Sequence, residues 1–107
     1  MVIKSVLREE LQNSKQMKER YERELAKLPK GSLQKREIKG NHYYYHVYRD
    51  NGKFVANYKS KVSDLPKNEV KRWKEIKEKR AQYRSSISKL KKQIRYLNGV
   101  LRGREEF

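Results

Sequence analysis

Five of the eight tyrosines in this 107-residue chain fall between Tyr43 and Tyr58, among both of its histidines, His42 and His46. These, together with 29 Lys and Arg, are the residues whose types could do chemistry. Tyrosine as a strand-transfer nucleophile needs a surrounding Arg and His constellation on a much larger domain. His42 and His46, four apart on one strand, would lie roughly 13 Å apart at about 3.3 Å per residue, too far to share a metal. The chain has no cysteine, which excludes disulfides, thiolate zinc sites and cysteine nucleophiles. No glycine-rich phosphate loop and no Ser–His–Asp arrangement is present. Glu9, Glu10, Glu19, Glu22, Glu24, Glu69, Glu75 and Glu78 are interleaved with bases, the pattern of a solvated, ion-paired helix face. The chain reads as a non-enzyme without cofactor or metal. The chemistry left to it is recognition.

What it would recognise follows from charge. Twenty-nine bases against 13 acids give a formal net charge of +16, which favours polyanions: DNA, RNA or an acidic membrane face. Apolar residues make up only 35% of the chain, too few for a large core. The longest apolar runs are about three residues, too short to span a bilayer. Met1-Val2-Ile3-Lys4 lacks the apolar core of a signal peptide, so a cytoplasmic location is expected.

Three segments must position these groups within a single domain covering 1–107. Residues 1–28 carry Ile3, Leu7, Leu11, Met17, Tyr21, Leu25 and Leu28 mostly three or four apart, one helical stripe that Pro29 ends. Residues 29–62 hold three short runs, Leu33–Ile38, His42–Arg49 and Lys53–Lys59, separated by Lys39-Gly40-Asn41 and Asp50-Asn51-Gly52. Asn-Gly tolerates positive φ at two consecutive positions, so the spacing predicts a three-stranded antiparallel β-meander. Residues 63–103 return to helix, with Ser63 or Asp64 as cap and Pro66 in the first turn, and 104–107 form a tail. Ile76, Arg80, Tyr83, Ile87, Leu90, Ile94, Leu97 and Leu101 step 4-3-4-3-4-3-4, a heptad seam with one polar member. The fold class is α+β: a long antiparallel helical hairpin, coiled-coil-like, with the meander inserted between its helices. The first helix is the shorter, so part of the seam could remain for a second subunit; the alternative to the intramolecular hairpin is a homodimer through the long helix.

Pairing through Asn51-Gly52 sets Arg49 opposite Phe54, Val47 opposite Ala56 and Tyr45 opposite Tyr58. A Gly40-Asn41 turn would set Lys35 opposite His46, Leu33 opposite Tyr48 and Glu37 opposite Tyr44. Alternation then collects Tyr43, Tyr45, Val47, Phe54, Ala56 and Tyr58 on one face, apolar enough to pack on the helices. The other face, expected outward, carries Tyr44, His46, Tyr48 and Asn57 with Lys35 and Lys59. Such a ribbon fits the DNA major groove, and its aromatics could equally stack on unpaired bases. Tyrosines also favour strands simply because they cover neighbouring backbone. Off the helical seam, Lys89, Lys92 and Arg95 head a basic face suited to phosphates. Its seam is too narrow, and its aromatics too few, for membrane binding.

Leu28-Pro29-Lys30-Gly31-Ser32-Leu33, followed by Tyr43-Tyr44-Tyr45, Tyr48-Arg49 and Asn51-Gly52-Lys53, resembles a group of small uncharacterised prokaryotic and phage proteins. Those share a Leu-Pro-x-Gly-Ser-Leu opening, a triple-tyrosine strand, a Gly-Lys hairpin and a trailing helix. Many insert a cysteine-containing stretch before the tyrosines; this chain lacks it, so no zinc role carries over. Residues 31–61 also resemble the arm-type three-stranded DNA-binding domain of phage and transposon integrases. That resemblance implies a sheet that enters the major groove, without the recombinase catalytic domain.

Sequence alone thus points to a non-catalytic nucleic-acid-binding protein, DNA ahead of RNA, using Lys35, Tyr44, His46, Tyr48, Asn57, Lys59, Lys89, Lys92 and Arg95. The rival readings are a protein–protein module, such as a phage or mobile-element accessory factor or inhibitor, and a coiled-coil spacer whose charge serves solubility.

Overall fold

A computed structural model describes residues 2–103 of the chain. The expected tail, 104–107, lies outside the described residues. The elements run α1 (Val2–Lys27), β1 (Ser32–Ile38), β2 (Asn41–Asp50), β3 (Lys53–Lys61) and α2 (Lys67–Arg102), an α+β arrangement with the meander between two helices in the chain. The sheet is antiparallel in the order β1-β2-β3. Of the described residues, 2–27 and 80–103 form one compact unit, and Leu28–Lys79 form a second.

The helical unit is an antiparallel pair. Tyr21 of α1 meets Tyr83 of α2 with ring centroids 6.0 Å apart, and Gln93 Nε2 donates to Glu10 Oε1 at 3.2 Å. The two contacts advance in opposite chain directions. The expected seam on α2 is used here: Ile87, Leu90 and Leu97 are buried. On α1 the sequence stripe misplaced two members, Ile3 and Met17. Both are exposed, whereas Ser14 is the most buried residue described, at 2% exposure. Leu7, Leu11, Ser14, Lys18, Tyr21 and Leu25 step 4-3-4-3-4, so a hydroxyl and an ammonium stem occupy seam positions that an apolar count passes over. One heptad from the Tyr21–Tyr83 level, Ser14 comes level with Leu90, a small residue facing a large one.

In the sheet unit, both hairpins turn on two consecutive positive-φ residues, Lys39 (53°) with Gly40 (80°) and Asn51 (50°) with Gly52 (79°). The second hairpin has the expected register, with Arg49 opposite Phe54, Val47 opposite Ala56 and Tyr45 opposite Tyr58. The first corrects the expectation. Its turn is Lys39-Gly40, not Gly40-Asn41, because Asn41 pairs with Ile38. Beginning the turn one residue earlier slides the pairing by two. Lys35 therefore faces Tyr44, Leu33 faces His46 and Glu37 faces His42. A slide of two leaves every side chain on its expected face.

Helix α2 begins later than residue 63. Asp64 N–H donates to the Lys61 carbonyl in a turn, and the Pro66 carbonyl accepts from Glu69 and Val70 N–H at 3.1 and 3.2 Å. Pro66 is thus the flanking residue of the helix, and neither Ser63 nor Asp64 caps it. Proline holds the residue before it in extended backbone, which keeps Leu65 out of the helix. At the other end, the Gly103 N–H donates to the carbonyls of Gly99 and Val100, closing the last turn.

Candidate nucleic-acid interface

The first turns of α2 cover one face of the sheet, and it is the face expected to be open. The His46 ring lies 5.1 Å from the Trp73 indole and 5.2 Å from the Tyr48 ring. Leu33 and Tyr44 line a cleft with Val70, Trp73, Lys74 and Lys77. Lys59 Nζ pairs with Glu69 Oε1 at 2.7 Å and sits 5.8 Å from the Trp73 ring centre. Of the residues expected to face outward, Tyr44, His46 and Tyr48 are half-buried. Lys59 is committed to a carboxylate, and Asn57 Nδ2 lies 3.5 Å from the Tyr48 hydroxyl. Lys35 and Asn57 stay exposed, but on the helix-covered side. The expected platform is therefore corrected. Counting apolar residues favoured packing of the Tyr43–Phe54 face, yet Leu33, Trp73, Val70 and the Lys59–Glu69 pair complement the other.

The Pro-Lys-Gly-Ser segment helps hold this arrangement. Gly31 has φ +84°, and a Cβ there would run into the Val47 carbonyl oxygen and come within 2.9 Å of His46 Nε2 and Tyr48 Cβ. Only glycine allows the loop so close to the central strand. That approach lets His46 Nε2 donate to the Lys30 carbonyl at 2.8 Å.

The open face is built by alternation from Gln34, Arg36, Tyr43, Tyr45, Val47, Arg49, Phe54, Ala56 and Tyr58. Phe54 and Tyr58 are 57% and 59% exposed. Tyr58 packs edge-on against Tyr43 (6.1 Å, 60°) and Tyr45 (5.9 Å, 78°), a preferred aromatic geometry that fixes the ring. The Arg36 guanidinium lies 4.7 Å over the Tyr45 ring. Its Nε and Nη2 both donate to Gln34 Oε1, at 3.0 and 2.9 Å, which orients the plane and leaves further N–H groups for a ligand.

A bulge completes the face. Tyr45 pairs with Tyr58 but Tyr44 pairs with Ser60, so Lys59 is one residue extra on β3. Beyond it the parity of β3 is reversed. Lys61 comes opposite Tyr43 on the open face, in the place Ser60 would otherwise hold. The result is a face that combines aromatic and apolar residues with Arg36, Arg49 and Lys61 and has no Asp or Glu among its residues.

Lys89, Lys92 and Arg95 are exposed off the seam, beside Tyr96 at 69% exposure. They belong to the helical unit, whereas every sheet residue named above belongs to the other. Sequence reasoning missed this face as the uncovered one: Phe54, Tyr58 and Lys61 are exposed on it, and Arg36, Tyr43 and Tyr45 are half-buried. Their alternation was visible; the covering helix and the bulge were not. Among the described residues, no group of three or more His, Asp or Glu is placed to hold a metal ion, and no helix is long and apolar enough to cross a membrane. No protein-family model, curated protein or solved structure matches the chain.

Proposed function

We propose that this protein binds nucleic acid without catalysing a reaction, and that the contact is the open sheet face of Arg36, Tyr43, Tyr45, Arg49, Phe54, Tyr58 and Lys61. The supporting observation is the composition of that face: exposed rings and three cations without a carboxylate, on a chain of net charge +16. Phe54 and Tyr58, each more than half exposed on the same face, give it apolar surface that a ligand would cover. Rings offer stacking and apolar contact to bases, and guanidinium groups offer bidentate hydrogen bonds to phosphate or base edges. The helical residues Lys89, Lys92 and Arg95 add to the positive field that attracts a polyanion.

The test is fluorescence anisotropy of labelled oligonucleotides over a range of salt. Several neutralised phosphates make log affinity fall linearly with log salt, by about 0.9 per phosphate on duplex DNA and about 0.7 on a single strand. Arg36→Gln and Lys61→Ala should each weaken binding and flatten that slope by about one phosphate. Absence of binding at low salt, or binding indifferent to salt, removes the proposal. A stoichiometric protein complex free of nucleic acid would then favour the interaction-module reading.

A further inference from the structure

The open face also indicates which form of nucleic acid it takes. Arg36 lies over the Tyr45 ring, Arg49 stands opposite Phe54 and Lys61 opposite Tyr43, and between them Val47, Ala56 and Tyr58 form an apolar centre. A duplex presents phosphates and polar base edges, with base faces hidden in the stack. Pressing an apolar centre into a groove would strip water from those edges without replacing their hydrogen bonds. An unpaired strand reverses the match, offering exposed base faces beside a line of phosphates. We infer, resting on the nucleic-acid reading above, that the sheet binds an unpaired strand, with bases against the rings and phosphates at Arg36, Arg49 and Lys61.

The relief of the face supports this occupant. Tyr58 and Phe54 are four residues apart on β3, roughly 14 Å at about 3.4 Å per residue, with only the Ala56 methyl between them and Val47 opposite it. Two exposed rings therefore stand either side of a low apolar floor, wide enough to admit planar bases. Tyr43 and Tyr45 brace the Tyr58 ring by their edge contacts, so little side-chain freedom remains to be lost on binding. Single-stranded DNA and RNA share the exposed base, and the 2′-hydroxyl distinguishes them only at contacts that reach the sugar.

The experiment uses the full chain with three labelled probes of one mixed sequence: single-stranded DNA, single-stranded RNA and duplex DNA. At one salt concentration, at least one single strand should bind about tenfold or more tightly than the duplex, and whichever does so names the sugar. Tyr58→Ala and Phe54→Ala should each lower single-strand affinity about 5- to 150-fold, the range for losing one stacked base, without changing the salt slope. Tyr58→Phe, which keeps the ring, should retain binding. Ala56→Leu should weaken it by filling the floor. Both rings are largely exposed, and a melting curve on each variant confirms that it folds. Equal or tighter duplex binding, indifferent to the two ring truncations, overturns the inference and leaves nucleic-acid binding standing. Failure to bind all three probes overturns both.

Discussion

The His46 ring and the Trp73 indole lie 5.1 Å apart at an interplanar angle of 45°. Because His46 shares its face with Tyr44 and Tyr48, this contact assigns that entire face of β2 to the helix and leaves Tyr43, Tyr45 and Val47 on the other. Proposed site and structural core thus exchange places relative to the simple apolar count.

Trp73 should consequently be a main support of the sheet unit. Trp73→Ala should destabilise by about 2–4 kcal/mol, somewhat below a fully buried aromatic truncation because the residue is only half-buried. Its Nε1–H, however, is buried without a hydrogen-bond partner, a desolvation cost of about 1–3 kcal/mol. Trp73→Phe removes that donor and should stay within about 1 kcal/mol of the parent. Chemical denaturation followed by circular dichroism compares the two; equal losses would mean that the indole N–H is satisfied in solution.

Two glycines should respond oppositely to alanine. Gly31→Ala introduces a Cβ against the Val47 carbonyl at φ +84°, and should destabilise by more than about 2 kcal/mol. Gly99 lies inside α2 with open space where a Cβ would stand, and Gly99→Ala should stabilise by about 0.5–1 kcal/mol. Thermal melts of both variants decide the matter. A tolerated Gly31→Ala would show that the loop does not press on the strand.

Lys59 and Lys61 should separate in binding. The Lys59 charge is met by Glu69, so Lys59→Ala should leave the salt slope of oligonucleotide binding nearly unchanged. Lys61→Ala, on the open face, should reduce it by about one phosphate. The reverse result would place the ligand on the helix-covered side.

Tyr44 and Tyr58 provide the same contrast for aromatic residues. Tyr44→Ala removes packing beside Trp73 and should lower the melting temperature, while folded protein keeps its oligonucleotide affinity. Tyr58→Ala should do the opposite. Parallel losses of stability and affinity in both variants would make the open face structural.

Ser14 tests the helical unit. Ser14→Leu would enlarge a fully buried seam position level with Leu90 and should cost about 1–3 kcal/mol, whereas Ser14→Ala should change stability little. Denaturant midpoints measure both. A stabilised leucine variant would mean that the helices have room to part.

Element order and the three strands were legible along the chain because each rests on local rules; that α1, and not a second copy of α2, lies along the seam was not. Asn51-Gly52 supplies a turn needing two positive φ angles, and the 4-3 recurrence from Ile76 to Leu101 makes one long stripe that seeks a partner. Alternation likewise sorted the tyrosines of β2 into two sets. Which set is covered depends on Trp73, some thirty residues downstream of Tyr43, and on Leu33 across the sheet, so no local pattern contains it. The bulge at Lys59 is equally non-local: it is a mismatch between two strands, visible only once both are paired, and it carries Lys61 to the open side. Tertiary structure decided the faces because a strand offers both sides to solvent alike, and only the element that lands on one of them breaks the tie.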